Sequence, residues 1–326
     1  MIPAKPRILR WRRSGQHCPA EGFGAAAARA GWYDLVLAVA SPWAANGPLS
    51  LQMENLLLAV VVLLPLAYLS TATAYGLAFW ERSEGAERLA PRLLLGCLVV
   101  HAGYLATLAQ RYHQLPAATL SQLLSLMAFA VALLYALLEQ RTGSRGTGVW
   151  VVGLALAFQV LASVFSGTPP EDRELFHQPL FALHVSLSLV GYVGLALAAV
   201  YGFLFLGLYR ELKGDRFGRF FGRLPPLAEL EKMMLGALTI GFLALTAGVA
   251  VGLVWAFSLY GLAWLRDLNI LASLALWVLY GAALMLRRLQ RWQGRQTAVA
   301  SLTGLALMLV SLVLFNLLFS RFHEFR

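Results

Sequence analysis

Eight apolar runs, each long enough to cross a lipid bilayer, constrain this sequence more than any other feature. A helix rises about 1.5 Å per residue, so a hydrocarbon core of about 30 Å needs close to 20 apolar residues. Charged residues make up only 13% of the chain, against roughly 25% in soluble domains. We therefore predict an all-α, polytopic membrane helical bundle with about eight transmembrane helices. The predicted spans are 55–80, 89–109, 118–138, 148–166, 180–209, 233–259, 269–286 and 297–319.

Positive charge alternates from one connection to the next. Arg and Lys cluster after the first, third, fifth and seventh spans, whereas each of the other connections carries a single Arg. Because cytoplasmic loops of membrane proteins hold the excess of Lys and Arg, we predict a multi-pass protein of the bacterial inner (cytoplasmic) membrane with mature N- and C-termini outward, in the periplasm. The formal charge of +10 comes from these basic clusters between spans of the lipid membrane, so the positive-inside rule accounts for it. We therefore expect no nucleic acid partner.

Residues 1–52 differ in composition from the rest of the chain. They are basic and rich in Ala and Gly, and they contain no run long enough to span a membrane. A signal peptide with Leu35–Ala40 as its apolar region is one interpretation, but Asp34 beside that region argues against it. We expect a flexible extension or a start assigned too early, because Met53 opens directly into an apolar helix. The membrane domain is then 53–326.

Motifs of catalysis are missing from the sequence. Cys18 and Cys97 lie far apart, and Cys97 is inside an apolar run, so they indicate neither a disulfide framework nor a zinc site. The chain has no Walker motif, no G-x-S-x-G and no H-E-x-x-H. It also lacks C-x-x-C-H, the motif of covalent haem attachment. We expect a protein that is not an enzyme.

The connection between the sixth and seventh spans is rich in aromatic residues. Trp255 and Tyr260 precede it, Trp264 lies within it, and Trp277 and Tyr280 follow in the seventh span. Tryptophan is enriched at membrane interfaces, so one interpretation is an ordinary aromatic belt. The other is a shelf of flat rings that holds a flat apolar ligand at the membrane surface. Composition leaves both open.

Five of the six histidines fall on or near the side predicted to face outward. These are His101, within the second span, His113 and His177, in connections, His184, early in the fifth span, and His323, just beyond the eighth. A lone histidine inside a membrane is more often a helix–helix hydrogen-bonding residue than a ligand, yet an ionisable group at that depth is a functional candidate. Clustering on one side favours a shared site. For His113 and His177, a loop position without a role is an equally good interpretation.

Several segments resemble the cytochrome c assembly family of membrane proteins (CcsA, ResC and the HemX-like branch). Residues 260–267, Tyr-Gly-Leu-Ala-Trp-Leu-Arg-Asp, are similar to the family's W-G-x-x-W-x-W-D loop, with Tyr260 and Arg266 in place of two tryptophans. Upstream, Gly252 to Ala256 resembles its G-x-x-W-A, and downstream Trp277 to Tyr280 resembles its W-x-x-Y. The resemblance extends from about Met53 to the C-terminus, and the altered loop points to the HemX-like branch.

Two histidine segments carry the resemblance further. His184-Val-Ser with Tyr192 is similar to the family's H-V-S segment, and Asn316 to His323 is similar to its N-L-L-x-x-x-L-H ending. In the family these outward histidines are the axial ligands of haem, so the resemblance implies His184 and His323 as ligands of haem iron, with haem b held non-covalently. It also implies that Arg266 pairs with a propionate, although an ion pair with Asp267 is an equal alternative. The implied haem-binding residues are His184, His323, Trp264, Asp267, Trp255, Tyr260, Arg266 and His101.

The resemblance implies a haem-binding or haem-exporting inner-membrane protein of the cytochrome c assembly type. Its partners would be other cytochrome c maturation or haem-pathway proteins. Two alternatives stay open. One is a cofactor-free membrane scaffold or regulator that keeps the family fold, and the other is a permease for another small solute. No pair of Pro- or Gly-broken helices marks a midplane substrate site, which disfavours the permease.

Overall fold

Eight α-helices and no strand make up the described part of the chain. The computed structural model describes residues 48–112, 115–143, 145–166, 178–214, 218, 222–261 and 268–322, without the side chains of 48–58, 142, 259, 260, 268, 269 and 313–322. The prediction of an all-α bundle is confirmed. The helices are α1 Pro48–Glu81, α2 Glu84–Tyr112, α3 Leu120–Thr142, α4 Gly148–Val164, α5 Pro179–Lys213, α6 Leu227–Tyr260, α7 Leu268–Arg288 and α8 Gly294–Phe322.

Seven of these helices are long and apolar enough to cross a membrane, and α4, with 17 residues, is just shorter. Helix α4 packs against α1 along most of its length. Near its end Ser163 Oγ donates to Val61 O at 2.7 Å, and at its start Gly148 lies against the ring of Tyr75. The two helices therefore run antiparallel over about 21 Å, the length of 14 helical residues. The chain is a multi-pass membrane protein in which α4 accompanies α1 through most of its span.

Helix α5 lies at the centre of the bundle. In its most apolar window 78% of the residues are buried, against 17–44% in the other spanning helices. It packs on α6 with the backbones almost in contact, since a Cβ on Gly194 would lie 2.6 Å from Gly241 Cα. A Cβ on Gly202 would lie 3.2 Å from Ala298 Cα on α8. Small residues allow such approach between membrane helices, so α5 can present side chains to several neighbours at once.

The helices alternate in direction, so their termini gather at two ends. We call the end where α1, α3, α5 and α7 finish the basic end, because the structure brings the Arg-rich connections together there. Arg145 Nη1 donates to Glu87 O at 2.7 Å, and Gly146 packs on the backbone of Arg223. An ion pair between Arg287 and Glu231 joins the end of α7 to the start of α6. Which membrane face the basic end occupies stays a prediction.

Three helices, α1, α2 and α6, begin at least five residues ahead of their predicted spans, and α6 begins at Leu227 rather than 233. Helix α2 begins at Glu84 rather than 89, because Ser83 Oγ accepts the Ala86 N–H at 3.4 Å and two acidic residues occupy the first turn, where they favour the helix dipole. Helix α1 begins at Pro48, five residues before Met53. Residues 1–47 lie outside the described residues, so the proposed flexible extension and late start stay predictions.

Candidate functional site

His184 lies in the second turn of α5 and points at the backbone of α6. Its Nδ1 is 2.8 Å from the carbonyl oxygen of Gly248. A carbonyl only accepts hydrogen bonds, so Nδ1 carries the proton and, in the neutral ring, Nε2 keeps its lone pair. Among the residues that the structure describes, none hydrogen-bonds to Nε2. Histidines that bind metals usually donate their other ring N–H to a carbonyl or carboxylate in this way.

Two glycines of α6 make room for this arrangement. A Cβ on Gly252 would lie 2.5 Å from both Cε1 and Nδ1 of His184, and a Cβ on Gly248 would lie 2.6 Å from Ser188 Oγ. Residues four apart share a face of a helix, so the glycine pair on α6 meets the His184–Ser188 pair on α5. Sequence analysis did not assign these glycines a role. Their matching spacing on consecutive spans was the signal available.

Trp255 lies on the same helix one turn further along. Its Nε1 donates to Gln178 Oε1 at 3.0 Å, and Gln178 is the residue that precedes α5. The indole ring centroid lies 6.5 Å from that of His184 and 5.7 Å from that of Phe181. The structure thus places Trp255 beside His184, and the bond to Gln178, which sequence analysis missed, holds the indole in place.

Two cavities flank His184, with volumes of about 240 Å³ and about 260 Å³. His184, Val249 and Ser273 line both, so the imidazole stands in the wall between them. The smaller cavity is also lined by Gly252, Leu253, Trp255, Ala256, Ile270 and Leu274. The larger is also lined by Ala117, Leu123, Val185, Ser188, Leu189, Tyr192, Leu245, Ala272, Ser311 and Leu312. Most of these side chains are apolar, as in small-molecule sites generally.

Helix α7 is held against its neighbours by the Trp277–Tyr280 pair. Trp277 Nε1 donates to Thr246 Oγ1 at 2.9 Å, and its ring stacks on Phe242 with centroids 5.9 Å apart. Tyr280 is buried against Gly304 of α8. These rings pack helices together rather than lining either cavity. They position Ser273, one turn earlier than Trp277, in the wall that the cavities share.

Several predicted site residues lie outside the described residues. These are His323, Trp264, Asp267 and Arg266, together with the Tyr260 side chain, and their predicted meeting with His184 stays a prediction. His113 and His177, for which a loop position without a role is an equally good interpretation, also lie outside the described residues. Helix α8 does reach the site, since Ser311 and Leu312 line the larger cavity, and it continues to Phe322.

His101 lies in a separate, fully buried network. Tyr68 Oη is 2.9 Å from Nδ1, and Ser125 Oγ is 3.0 Å from Nε2. Ser125 donates its own proton to Gln159 Oε1 at 3.0 Å, so Nε2 of His101 must donate to Ser125 and Tyr68 must donate to Nδ1. Both ring nitrogens are occupied, and the network joins α1, α2, α3 and α4. An iron ion would have to displace one of these partners, and haem binding by His101 stays a prediction.

Comparison with known proteins identifies related sequences along most of the chain. The family model described as cytochrome C assembly protein matches residues 97–323. A cytochrome c biogenesis protein CcsA of Synechococcus sp. (strain CC9605) is 26% identical over 281 residues, which cover 77% of this chain and 91% of that protein. CcsA of Synechococcus sp. (strain WH7803) is 26% identical over 314 residues, or 85% and 98%. Protein HemX of Bacillus subtilis (strain 168) is 29% identical over 177 residues, or 52% and 63%.

Proposed function

The chain belongs to the cytochrome c assembly protein family and has a role in cytochrome c biogenesis, and we propose that this role is to bind or export haem at the bacterial inner membrane. The observation that carries the proposal is the state of His184, whose Nδ1–H is bonded to the Gly248 carbonyl at 2.8 Å while Nε2 is left for a ligand. The family match, which confirms the resemblance, makes haem the ligand to test first.

The residues around His184 fit a haem iron and part of a porphyrin. His184 would hold the iron through Nε2, and Gly248 would orient the ring through its carbonyl. Trp255 and the apolar cavity walls would cover the porphyrin and exclude water. When bound, haem supplies an iron that accepts imidazole nitrogens. We propose that His323 would hold the iron together with His184, and that haem b would be bound without a covalent bond.

The volume of the site bears on how much of the ligand it covers. The cavities of about 240 Å³ and 260 Å³ are each below the roughly 300–1,000 Å³ usual for small-molecule pockets. Haem at His184 would therefore extend past either cavity, and the loop that contains Trp264 and Asp267 is our candidate for covering the remainder. Arg266 is our candidate for a propionate.

A cofactor-free scaffold or regulator is the competing function. The His101 network favours it, because a histidine with both ring nitrogens hydrogen-bonded offers no free ligand within the membrane. If the chain binds haem, we therefore expect the haem to bind at the His184 end of the bundle, without His101 as a ligand. We place that end in the periplasm by the positive-inside rule, and we propose other cytochrome c maturation or haem-pathway proteins as partners, with no catalysis by this chain.

Absorption spectroscopy of the detergent-purified chain tests the proposal. The wild type should carry a Soret band after haem is supplied, and His184→Ala should lose most of it, because the iron loses an axial ligand. His177→Ala is the matched control and should keep the band. Added imidazole should restore part of the band in the His184 variant, which separates ligation from folding. Haem content that survives removal of both His184 and His323 would refute ligation by these two residues, whereas a wild type without a Soret band would support the cofactor-free scaffold.

A further inference from the structure

A cavity of about 460 Å³ opens at the basic end, away from His184. Three arginines line it, and each comes from a different connection. Arg82 follows α1, Arg145 lies between α3 and α4, and Arg223 precedes α6. Phe79 and Glu87 line it as well. The fold therefore gathers into one cavity three cations that are far apart in the sequence.

Arg223 is the least satisfied of the three. Its Nη1 is buried and has no hydrogen-bond partner in the part of the chain that the structure describes. Its guanidinium carbon lies 5.7 Å from the centroid of the Phe79 ring, which provides a cation–π contact but no hydrogen-bond acceptor. Buried charges in proteins are normally paired, because water no longer solvates them. Since Arg223 also lines the cavity, its guanidinium group is a candidate to hold a ligand that accepts hydrogen bonds.

Arg145, in contrast, is already neutralised and held in place. Its Nε donates to Glu139 Oε1 at 3.0 Å, and its Nη1 donates to Glu87 O at 2.7 Å. Glu139 is buried and also accepts the Tyr75 hydroxyl. With Arg145 paired to Glu139, the cavity keeps two arginines against the single carboxylate of Glu87, so its lining carries net positive charge.

Arg82 directly follows the last residue of α1. Its φ is 54°, the left-handed conformation that commonly ends an α-helix, and Gln290, two residues after α7, has the same φ. Arg82 Nη2 lies 3.8 Å from the position that a Cβ would take on Gly222, the neighbour of Arg223. The Arg82 guanidinium thus reaches across to the segment that carries Arg223.

Aromatic residues beside this cavity indicate a position near the membrane interface. Trp80 is 38% exposed, and its ring centroid lies 4.7 Å from that of Phe79. The ring centroid of Trp150 lies 6.2 Å from that of Phe79. Tryptophans concentrate where lipid headgroups meet water. Ligands at this depth include the headgroups of anionic lipids as well as solutes from the adjoining water.

We propose that the cavity binds a phosphate group, either the headgroup phosphate of an anionic phospholipid or the phosphate of a soluble compound. Guanidinium groups match phosphate oxygens with paired, charge-assisted hydrogen bonds, and Arg82 and Arg223 approach from two sides. Arg145, fixed by Glu139, forms part of the wall. This site is independent of the haem proposal, because it lies at the opposite end of the bundle from His184.

Thermal unfolding of the full chain, delipidated in a neutral detergent, tests the proposal. One arm adds phosphatidylglycerol to the micelles, with diacylglycerol, which has no phosphate, at the same mole fraction as its reference. The other adds inorganic phosphate, with chloride at matched ionic strength as its reference. A rise in Tm in the first arm alone identifies a lipid headgroup, and a rise with inorganic phosphate identifies a soluble ligand. Either result supports a phosphate site, and a rise in neither arm overturns it.

Variants locate the site. Arg223→Gln and Arg82→Gln should each raise the ligand concentration that gives half of the Tm rise roughly 10- to 100-fold. This is the loss of affinity expected for hydrogen bonds to a charged group. Arg88→Gln is the matched control, since Arg88 is exposed at the same end and paired with Glu84. Arg223→Lys should recover part of the affinity. If Arg223→Gln does not fold, Arg82→Gln provides the test. A ligand-induced rise in Tm in Arg82→Gln equal to that of the wild type would then refute the proposal. Haem content should be unchanged in every arginine variant.

Discussion

Gly252→Ala is the substitution that most directly tests how His184 is held. The new Cβ would lie 2.5 Å from Cε1 and Nδ1 of His184, about 1 Å inside ordinary carbon–carbon contact. The ring or one helix must therefore move by about 1 Å. A shift of that size would lengthen the 2.8 Å bond from Nδ1 to Gly248 O beyond hydrogen-bonding distance.

The energetic cost follows from these contacts. Overpacking of a well-packed site costs about 1–3 kcal/mol. Loss of the hydrogen bond adds about 0.5–1.5 kcal/mol. We therefore expect Gly252→Ala to lower the free energy of unfolding by about 1.5–4.5 kcal/mol and to weaken haem binding, because Nε2 is no longer aimed by the Gly248 carbonyl.

The assay pairs a thermal or denaturant unfolding curve with the Soret absorbance of the purified protein. Gly236→Ala is the matched control, because Gly236 lies on the same helix and a Cβ there would meet no atom within 4 Å. If Gly252→Ala keeps wild-type stability and wild-type haem content, the His184 ring does not lie against Gly252 of α6. If stability falls but haem content stays at the wild-type level, the hydrogen bond from His184 to Gly248 is not needed for haem binding.

Three further perturbations follow from the structure. His101→Ala should cost about 2–4 kcal/mol in the free energy of unfolding, because it empties a buried site and strands its hydrogen-bond partners; a loss of haem at unchanged stability would instead make His101 a ligand. Gly148→Ala should cost about 1–3 kcal/mol, because its Cβ would overlap the Tyr75 ring, whereas Gly153→Ala on the same helix should be neutral, since nothing lies within 4 Å there. Alkaline-phosphatase fusions should be active at the C-terminus and inactive after Arg223, and the reverse pattern would invert the proposed orientation.

Much of the helical architecture is predictable from the sequence. Each of the eight predicted spans corresponds to one helix, including the short α4. The boundaries were less predictable, because Glu84 and its neighbours begin α2 through capping and charge rather than through hydropathy. The helical period also places His184 and Ser188 on one face of α5, since residues four apart lie on the same side of a helix.

The partners of those faces were not predictable. Nothing in the sequence around His101 distinguishes a histidine with both nitrogens occupied from His184, whose Nε2 is left for a ligand. Nor does the spacing of Arg82 and Arg223 indicate that they line one cavity. Such properties depend on which residue of a neighbouring helix lies opposite, and that neighbour comes from a distant part of the chain.

The physical reason lies in the solvent. Within a bilayer every backbone N–H and C=O must be satisfied inside its own segment, so an apolar run of sufficient length becomes a helix whatever surrounds it. Helix association in lipid has no comparable hydrophobic signal, and it depends on small residues and on particular hydrogen bonds between helices. The spans and their chemistry can therefore be read locally along this chain. The glycine that admits His184, the carbonyl that orients it and the meeting of three arginines at the basic end arise only when α5 and its neighbours pack.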